Sequence, residues 1–330
     1  MAKAGAEAGA EGVKVLHVSW LKRSDGEPGG VEKFACYLER ALTEAGHSCQ
    51  VIAWSDFPNR GRCDRLSNPD KALVLGSWAE SELHFDIAVS DGYWGLGITQ
   101  RKVVPVVHGT WAQFYLNMRS SPWTNAEVQA QHQAFTAPNV FPVACSPASA
   151  RELERHHRRQ PIRTILHGID LDLFRPQKSS RADGRPIVLH AATNPKKGSD
   201  LMPAIARELG DSYRVEFLNA AVGEEAAAFQ RGDIFLHPSR HEGNAYALLE
   251  AMGTGLPIVT TSVGLFESIA AGLVGPVLPI DATVSQWAEA VREAAVNSVA
   301  YGRAARATAK RMASFDHFRS EWVAFLEELS

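Results

Sequence analysis

Two glutamates, Glu242 and Glu250, stand eight residues apart in the segment HEGNAYALLEAMGTGLPIV. On a helix that begins between them, this spacing puts Glu242 at the helix entrance and Glu250 about two turns further along. Ionised carboxylates accept hydrogen bonds from hydroxyls, so such a pair could bind two polyol groups of one ligand, for example a ribose and a hexose. A capping glutamate followed by a solvated helix glutamate is the alternative. The apolar neighbours of Glu250 favour binding, because an unpartnered carboxylate there would be costly.

Gly29 and Gly30 form a second candidate site. They follow the apolar run VKVLHVS and directly precede an amphipathic segment that begins VEKFACYL. Glycines let a ligand approach the backbone closely, and a helix N-terminus offers unpaired N–H groups and a partial positive charge to a phosphate. A glycine turn that serves only to enter the helix is the alternative.

The elements that must position these residues follow a βαβ rhythm from Val13 onward, which is typical of a parallel sheet. The rhythm lapses over a polar segment and then restarts. We therefore predict an α/β chain with two doubly wound domains and, after the run LPIVTTS, packing helices without a further strand. The predicted divisions are a disordered start at 1–12, an N-terminal domain at 13–168, a linker at 169–186, a C-terminal domain at 187–312 and a final helix at 313–330.

The composition excludes several classes of protein. A chain of 330 residues with 45% hydrophobic content favours two cores, and a formal net charge of -3 gives no overall attraction to nucleic acid or anionic lipid. No signal sequence or membrane-spanning run is apparent, so we predict a cytoplasmic protein. The four scattered cysteines argue against a zinc site and a disulfide framework: Cys36, Cys49, Cys63 and Cys145.

The stretch LHPSRHEGNAYALLEAMGTGLPIVTTSVG resembles the signature of glycosyltransferase family 4, also called group 1. The resemblance extends to GGVEKFACYLERALTEAGHSCQVI, VVHGT, ILHGIDLDLFRP and KKG, and so covers nearly the whole chain. It implies a GT-B fold, in which two Rossmann-like domains face each other across a cleft and C-terminal helices pack back toward the N-terminal domain. It also implies a retaining, metal-independent transfer of a sugar from a UDP- or GDP-linked donor to a hydroxyl acceptor, with no cofactor.

The same resemblance assigns roles to the second domain by matching position. Glu250 would bind the ribose hydroxyls, and Glu242 would lie at the donor sugar. Further donor contacts would come from the backbone that follows Glu242, at Gly243, Asn244 and Ala245.

The resemblance also assigns roles to residues of the first domain and to a lysine of the second. Gly30, with Gly29 beside it, would approach the diphosphate, and His108 would contact the donor sugar near the reacting centre. A lone histidine at a strand end is otherwise more often structural. Lys197 would face the diphosphate, where a positioned cation stabilises the charge that builds on the leaving group.

The chain departs from the family pattern in two places. The family usually has an arginine five or six residues before the lysine, where this chain has Ala191 and Ala192; Lys196, His190 or a residue from elsewhere could replace it. Between the helix after KKG and the run DIFLHPS we also predict one strand where the family usually has two.

The acceptor is assigned to the first domain, which contains six of the eight tryptophans. Trp111, Tyr115 and Trp123 are candidates, since aromatic faces suit stacking on sugars or bases, although they could equally pack a loop onto the core. A basic cluster within residues 151–163 could meet an anionic acceptor, a membrane surface or nucleic acid, or could simply be a solvated helix C-terminus. The acceptor stays open between a natural product, a glycan, a lipid-linked sugar and a modified nucleic acid base.

Two other functions fit the same pattern. A sugar-nucleotide epimerase or hydrolase shares the two-domain architecture, and the absent arginine is compatible with a catalytically silent protein that only binds a nucleotide sugar.

Overall fold

A computed structural model describes residues 12–22, 24, 29–122, 125–177, 184–191, 194–218, 220–221 and 223–330. Apart from Gly12, the segment predicted to be a disordered start lies outside the described residues.

The first sheet consists of parallel strands from the N-terminal half. Its strands in the described residues are β1 (Lys14–Val18), β2 (Ser48–Ile52), β3 (Ile87–Asp91), β4 (Lys102–Val107), β5 (Val143–Ala144) and β6 (Arg163–Thr164). They run in the order β2-β1-β3-β4-β5-β6. The accompanying helices are α1 (Gly30–Glu44), α2 (Arg60–Cys63), α3 (Asn68–Glu82), α4 (Trp111–Asn117), α5 (Ala126–Thr136) and α6 (Pro147–His157). Every residue of β3 is buried, as expected for a central parallel strand covered on both faces.

The second sheet is also parallel. Its strands are β7 (Ile187–His190), β8 (Arg214–Phe217), β9 (Ile234–His237), β10 (Ile258–Thr261) and β11 (Val277–Leu278). Their order is β11-β10-β9-β7-β8, with β9 and β10 fully buried. The helices that follow β7 in the chain are α7 (Met202–Leu209), α8 (Glu225–Gln230), α9 (Tyr246–Gly253), α10 (Val284–Val296), α11 (Ser298–Met312) and α12 (Phe315–Leu329).

Strand β11 corrects the prediction that only helices follow the run LPIVTTS. It pairs in parallel with β10 over Thr260–Val277 and Thr261–Leu278. Two half-buried residues between prolines are too short to show an alternating pattern, so the sequence gives no strand signal there. Within the described residues, β8 is the one strand between α7 and β9, as the spacing of apolar runs predicts.

The C-terminal helix returns to the first half of the molecule, as the predicted fold requires. Helix α12 packs on α1, and Phe34 of α1 contacts Trp322 and Phe318 with ring centroids 5.6 and 6.0 Å away. Helix α1 forms because its apolar residues recur at one face, from Phe34 through Leu38 to Leu42, and all are fully buried. Burying such side chains contributes about 1.5–3 kcal/mol each.

The connection between the two sheets is tied to the C-terminal helices. Ile169 pairs with Ser314 in an isolated parallel bridge, and the guanidinium of Arg306 donates to the carbonyls of Leu171 and Gly253. The boundaries predicted at residues 168, 186 and 312 remain predictions. None of the helices in the described part of the chain is both long and apolar enough to cross a bilayer.

Candidate active site

A cleft of about 730 Å³ opens between the two sheets. Its lining residues lie at the carboxyl ends of strands from both halves, which is where parallel sheets bind ligands. Asp91 and His108 come from the first half, whereas Ala191, Lys197 and Glu242 come from the second. All ten residues predicted to bind the donor or to act in catalysis line this cleft: Gly29, Gly30, His108, Lys196, Lys197, Glu242, Gly243, Asn244, Ala245 and Glu250.

Glu242 follows β9 and is almost completely buried. The ammonium of Lys197 contacts both carboxylate oxygens at 2.5 Å, and Nε2 of His237 lies 2.7 Å from Oε1. Burial by itself would raise the pKa of Glu242, but Lys197 and His237 outweigh it and hold that pKa well below its usual value. Glu242 is therefore an ionised carboxylate whose position is fixed by two neighbours.

The backbone after Glu242 is clamped against the first half. A Cβ at Gly243 would lie 2.1 Å from the carbonyl oxygen of His108, so only glycine fits there. The amide of Asn244 donates to the carbonyl of Cys145 at 3.0 Å, and Nδ1 of His167 lies 2.7 Å from the carbonyl of Asn244. These contacts fix the start of α9 relative to both walls of the cleft.

Glu250 lies on α9 and is 1% exposed. Its Oε1 accepts a 2.5 Å hydrogen bond from the ammonium of Lys33, which belongs to α1 in the other half of the chain. The sequence prediction missed Lys33. The spacing shows that Lys33 shares a helix face with Gly30, but it does not show the contact with Glu250.

Two neighbouring lysines enter the cleft from the 3-10 turn Pro195–Lys197. The Asn194 side chain caps this turn by accepting from the Lys197 amide. Lys196 sits over the ring of Phe114 with its ammonium 4.9 Å from the centroid, and over Trp111 at 5.7 Å. Burial, with a smaller effect of Lys197, lowers the pKa of Lys196 to about 8. Lys196 is thus a cation whose charge weakens just above neutral pH.

A chain of three polar residues lies behind the first wall. Nε2 of His108 is 2.8 Å from Oδ1 of Asp91, and Nε2 of His17 is 3.2 Å from Oδ2. Burial opposes ionisation of Asp91, but the two histidines outweigh it and lower its pKa. Asp91 therefore orients His108 from behind. The prediction missed Asp91 and His17, because only the pairing of β1 with β3 brings them together.

The three aromatic candidates for the acceptor have different positions. Trp111 lines the cleft, at the start of α4. Tyr115 is not among the described residues that line it, and its hydroxyl accepts a 2.7 Å hydrogen bond from Asn125. Trp123 lies outside the described residues, as does Ala192 of the predicted cation gap.

Glu152 is a further buried acid that the prediction did not include. Its Oε2 accepts from the amide and hydroxyl of Thr110 at 2.7 and 3.0 Å, and Oε1 lies 3.8 Å from Nδ1 of His241. Burial raises the pKa of Glu152 to about 7, although the bonds from Thr110 oppose the rise. Burial, with help from Lys196, lowers the pKa of His241 to about 3. His241 lines the cleft, and Glu152 lies next to it without lining the cleft.

Cys145 lies beside two histidines, which its sequence spacing does not predict. One potential ligand atom each of His108, Cys145 and His167 lies within 4.8 Å of the others. Burial raises the pKa of the Cys145 thiol to about 12, so this group keeps its proton at neutral pH and is a poor metal ligand as it stands.

Three members of the basic cluster at residues 151–163 have separate environments. Arg151 pairs with Glu267 at 2.6 Å, Arg163 pairs with Glu328 at 2.8 Å, and His157 is buried. The cations are thus distributed over separate contacts.

Family models now identify the chain. A model described as Glycosyltransferase Family 4 matches residues 28–173, and one described as Glycosyl transferases group 1 matches residues 177–297. The chain belongs to glycosyltransferase family 4. One protein that the chain resembles is the D-inositol 3-phosphate glycosyltransferase of Corynebacterium urealyticum, which is 38% identical over 90 residues. The match spans 26% of this chain and 21% of that protein.

Solved structures share the fold. Sucrose-phosphate synthase from Thermosynechococcus elongatus superposes with a TM-score of 0.78 at 15% identity, covering 96% of this chain and 99% of that one. HepE of Anabaena in complex with UDP-glucose gives a TM-score of 0.69 at 16% identity, covering 96% and 100%. Together with the two facing parallel sheets, these matches confirm the GT-B fold predicted for this family 4 chain.

Proposed function

We propose that this family 4 protein is a retaining glycosyltransferase that moves a sugar from a UDP- or GDP-linked donor to a hydroxyl acceptor without a metal. One observation carries the proposal: His108, Lys197, Glu242 and Glu250, from separate parts of the chain, line a single cleft. The complex of HepE with UDP-glucose supports the choice of a nucleotide sugar as donor.

The donor would bind along the second wall. The buried carboxylate of Glu250 would accept hydrogen bonds from ribose hydroxyls, and the segment from Gly243 to Ala245 would contact the sugar. Gly29 and Gly30 open helix α1, whose unpaired N–H groups would meet the diphosphate.

The negative charge that develops on the leaving diphosphate raises the activation free energy, and the protein must stabilise it. As the bond between the sugar carbon and the phosphate oxygen breaks, the electron pair stays on the phosphate. The acceptor oxygen bonds to the carbon, and its proton passes to the departing phosphate. Lys197 would stabilise the phosphate charge, and Glu242 would hold Lys197 in place, since it contacts the ammonium with both oxygens.

The acceptor would enter along the first wall, where His108 and Trp111 face the cleft. A natural product, a glycan, a lipid-linked sugar and a modified nucleic acid base are all compatible with this wall.

Nucleotide release tests the proposal. Mass spectrometry would follow UDP or GDP formation from a panel of nucleotide sugars, with and without acceptors of each class. We expect acceptor-dependent release that resists EDTA and falls at least about 100-fold in Lys197→Ala, because the leaving-group cation is lost. Lys22→Ala is the matched control, since Lys22 makes a 2.5 Å ion pair with Asp56 and does not line the cleft. The anomeric configuration of the product, measured by NMR, tests retention.

Other outcomes would replace the proposal. Release at the same rate without acceptor indicates a hydrolase, and formation of an epimer of the donor indicates an epimerase. Donor binding without any turnover would support a silent sugar-nucleotide-binding protein.

A further inference from the structure

The cleft contains few cations for a ligand with two phosphates. Within the described residues, three lysines and no arginine line it: Lys33, Lys196 and Lys197. Lys197 is held by Glu242, and Lys196 rests on aromatic rings with its pKa lowered to about 8. Lys33 is the one of these three lysines that comes from the first half, so it could bring a cation to the phosphates from the side opposite Lys197.

Lys33 occupies a position that favours an anion. It is the fourth residue of α1, shares a helix face with Gly30, and its side chain is 12% exposed. A lysine in the first turn lies near the positive end of the helix dipole, which disfavours it. A nearby negative charge offsets this cost, and the Glu250 carboxylate at 2.5 Å supplies one.

Lys33 also links the two halves at the point where a nucleotide would lie. When a ribose donates hydrogen bonds to Glu250, the carboxylate stays ionised. The buried ammonium of Lys33 must also stay close to a negative charge, because a buried cation without one is costly. The phosphate attached to the ribose brings that charge to the same place. The ammonium sits on a flexible four-carbon stem and can turn from the carboxylate to the phosphate.

We propose that Lys33 is a donor-binding residue of the first half that contacts the diphosphate when Glu250 binds the ribose, so that one ion pair prepares both contacts. This inference rests on the proposed function, because it requires a nucleotide in the cleft. The alternative role, here called the latch, is structural. In that role Lys33 only bridges the two halves through its ion pair with Glu250, and it competes with the ribose for that carboxylate.

Calorimetric titration separates the two roles. The ligands are UDP and GDP, with uridine and guanosine as matched ligands without phosphates. For Lys33→Met we expect the better diphosphate to bind at least about tenfold more weakly, while its nucleoside binds within about threefold of wild type. Lys33→Arg should restore most of the diphosphate affinity, because it keeps the charge.

Arg151→Met is the control for breaking an ion pair between the halves. Arg151 pairs with Glu267 at 2.6 Å outside the cleft, so its loss should leave both affinities unchanged. If Lys33→Met does not fold because the buried Glu250 loses this ion pair, the double variant Lys33→Met with Glu250→Gln replaces it. Its diphosphate affinity is then compared with that of Glu250→Gln alone, and a tenfold deficit in the double variant supports Lys33.

Several results would overturn the inference. Unchanged or tighter diphosphate binding in Lys33→Met indicates the latch. An equal loss of affinity for nucleoside and diphosphate indicates instead that Lys33 only positions Glu250, and it overturns the inference as well. Wild-type protein that binds no nucleotide would remove the proposed function and this inference together, whereas wild-type binding that survives loss of Lys33 removes the inference alone.

Discussion

The two walls of the cleft hold their polar groups in different ways. The second wall takes Glu242 and Glu250 from one strand-loop-helix segment and fixes each carboxylate with a lysine at 2.5 Å. The first wall assembles His17, Asp91 and His108 from three separate strand ends. A contiguous segment can be recognised as a signature, whereas a set from three strands exists only after the sheet has formed.

The walls also differ in charge near neutral pH. In the second wall, Lys197 and His237 keep the pKa of Glu242 low against its burial, so its charge is permanent. In the first wall, burial and His108 lower the pKa of His167 to about 3, which leaves that ring neutral. The first wall contains an ionised carboxylate as well, Asp91, whose pKa its histidine neighbours lower. Carboxylates accept hydrogen bonds from ribose hydroxyls, and lysine cations attract phosphates. In the proposed function, the second wall therefore binds the nucleotide of the donor, and His108 of the first wall contacts the reacting sugar.

Loss of Glu250 should give the largest effect on donor binding. In Glu250→Ala we expect UDP or GDP affinity to fall at least about 100-fold, or about 2.7 kcal/mol, because the ribose loses its acceptor and Lys33 its partner. Calorimetry measures the affinity. Glu267→Ala is the control, since it breaks the Arg151 ion pair outside the cleft. Binding within threefold of wild type would contradict the assignment of the donor to the second wall.

Loss of His108 should separate turnover from binding. In His108→Ala we expect turnover to fall on the order of 50-fold, because a contact to the reacting sugar is lost, while nucleotide affinity changes less than threefold. Steady-state rates and calorimetry measure the two quantities, with the exposed His84→Ala as control. An equal loss of binding and turnover would remove the proposed distinction between the walls.

Glu152 does not line the cleft, and its raised pKa predicts that the stability of the folded chain depends on pH. The folded chain keeps a proton on this carboxyl up to about pH 7, whereas an unperturbed glutamate releases it near 4.5, so stability falls as pH rises through this window. Between pH 5.5 and 8 the loss is about 2 kcal/mol. Relative to wild type, Glu152→Gln should therefore raise the free energy of unfolding by about 2 kcal/mol more at pH 8 than at pH 5.5. Urea unfolding at the two pH values measures this difference.

The exposed Glu154→Gln on the same helix is the matched control, and we expect no pH-dependent gain from it. A gain for Glu152→Gln that is equal at both pH values would show that the carboxyl does not titrate in this range.

The sequence predicted three of the four residues that form the two ion pairs between Lys197 and Glu242 and between Lys33 and Glu250, and it missed Lys33. Glu250 stood out because a carboxylate amid apolar residues needs a partner, but its partner Lys33 lies 217 positions away and carries no local signal of that contact. Lys197 was predicted to face a diphosphate, and its contact with Glu242 depends on how β9 and the 3-10 turn Pro195–Lys197 are placed.

Short or nonlocal features were missed for related reasons. Strand β11 has two residues and no period. Tyr115 was named as an acceptor candidate, but the sequence cannot show whether its ring faces the cleft. The grouping of Cys145 with two histidines likewise appears only when neighbouring strand ends meet.

The sequence by itself determined the α/β class, the two parallel sheets and the family, because the alternation of apolar runs and the segment around Glu242 and Glu250 are local patterns. The tertiary structure decided which charges meet. Lys33 reaches Glu250, and Asp91 reaches His108, only because strand order and helix packing bring distant residues within hydrogen-bond distance. Side-chain pairing across a cleft depends on distances that no local spacing encodes.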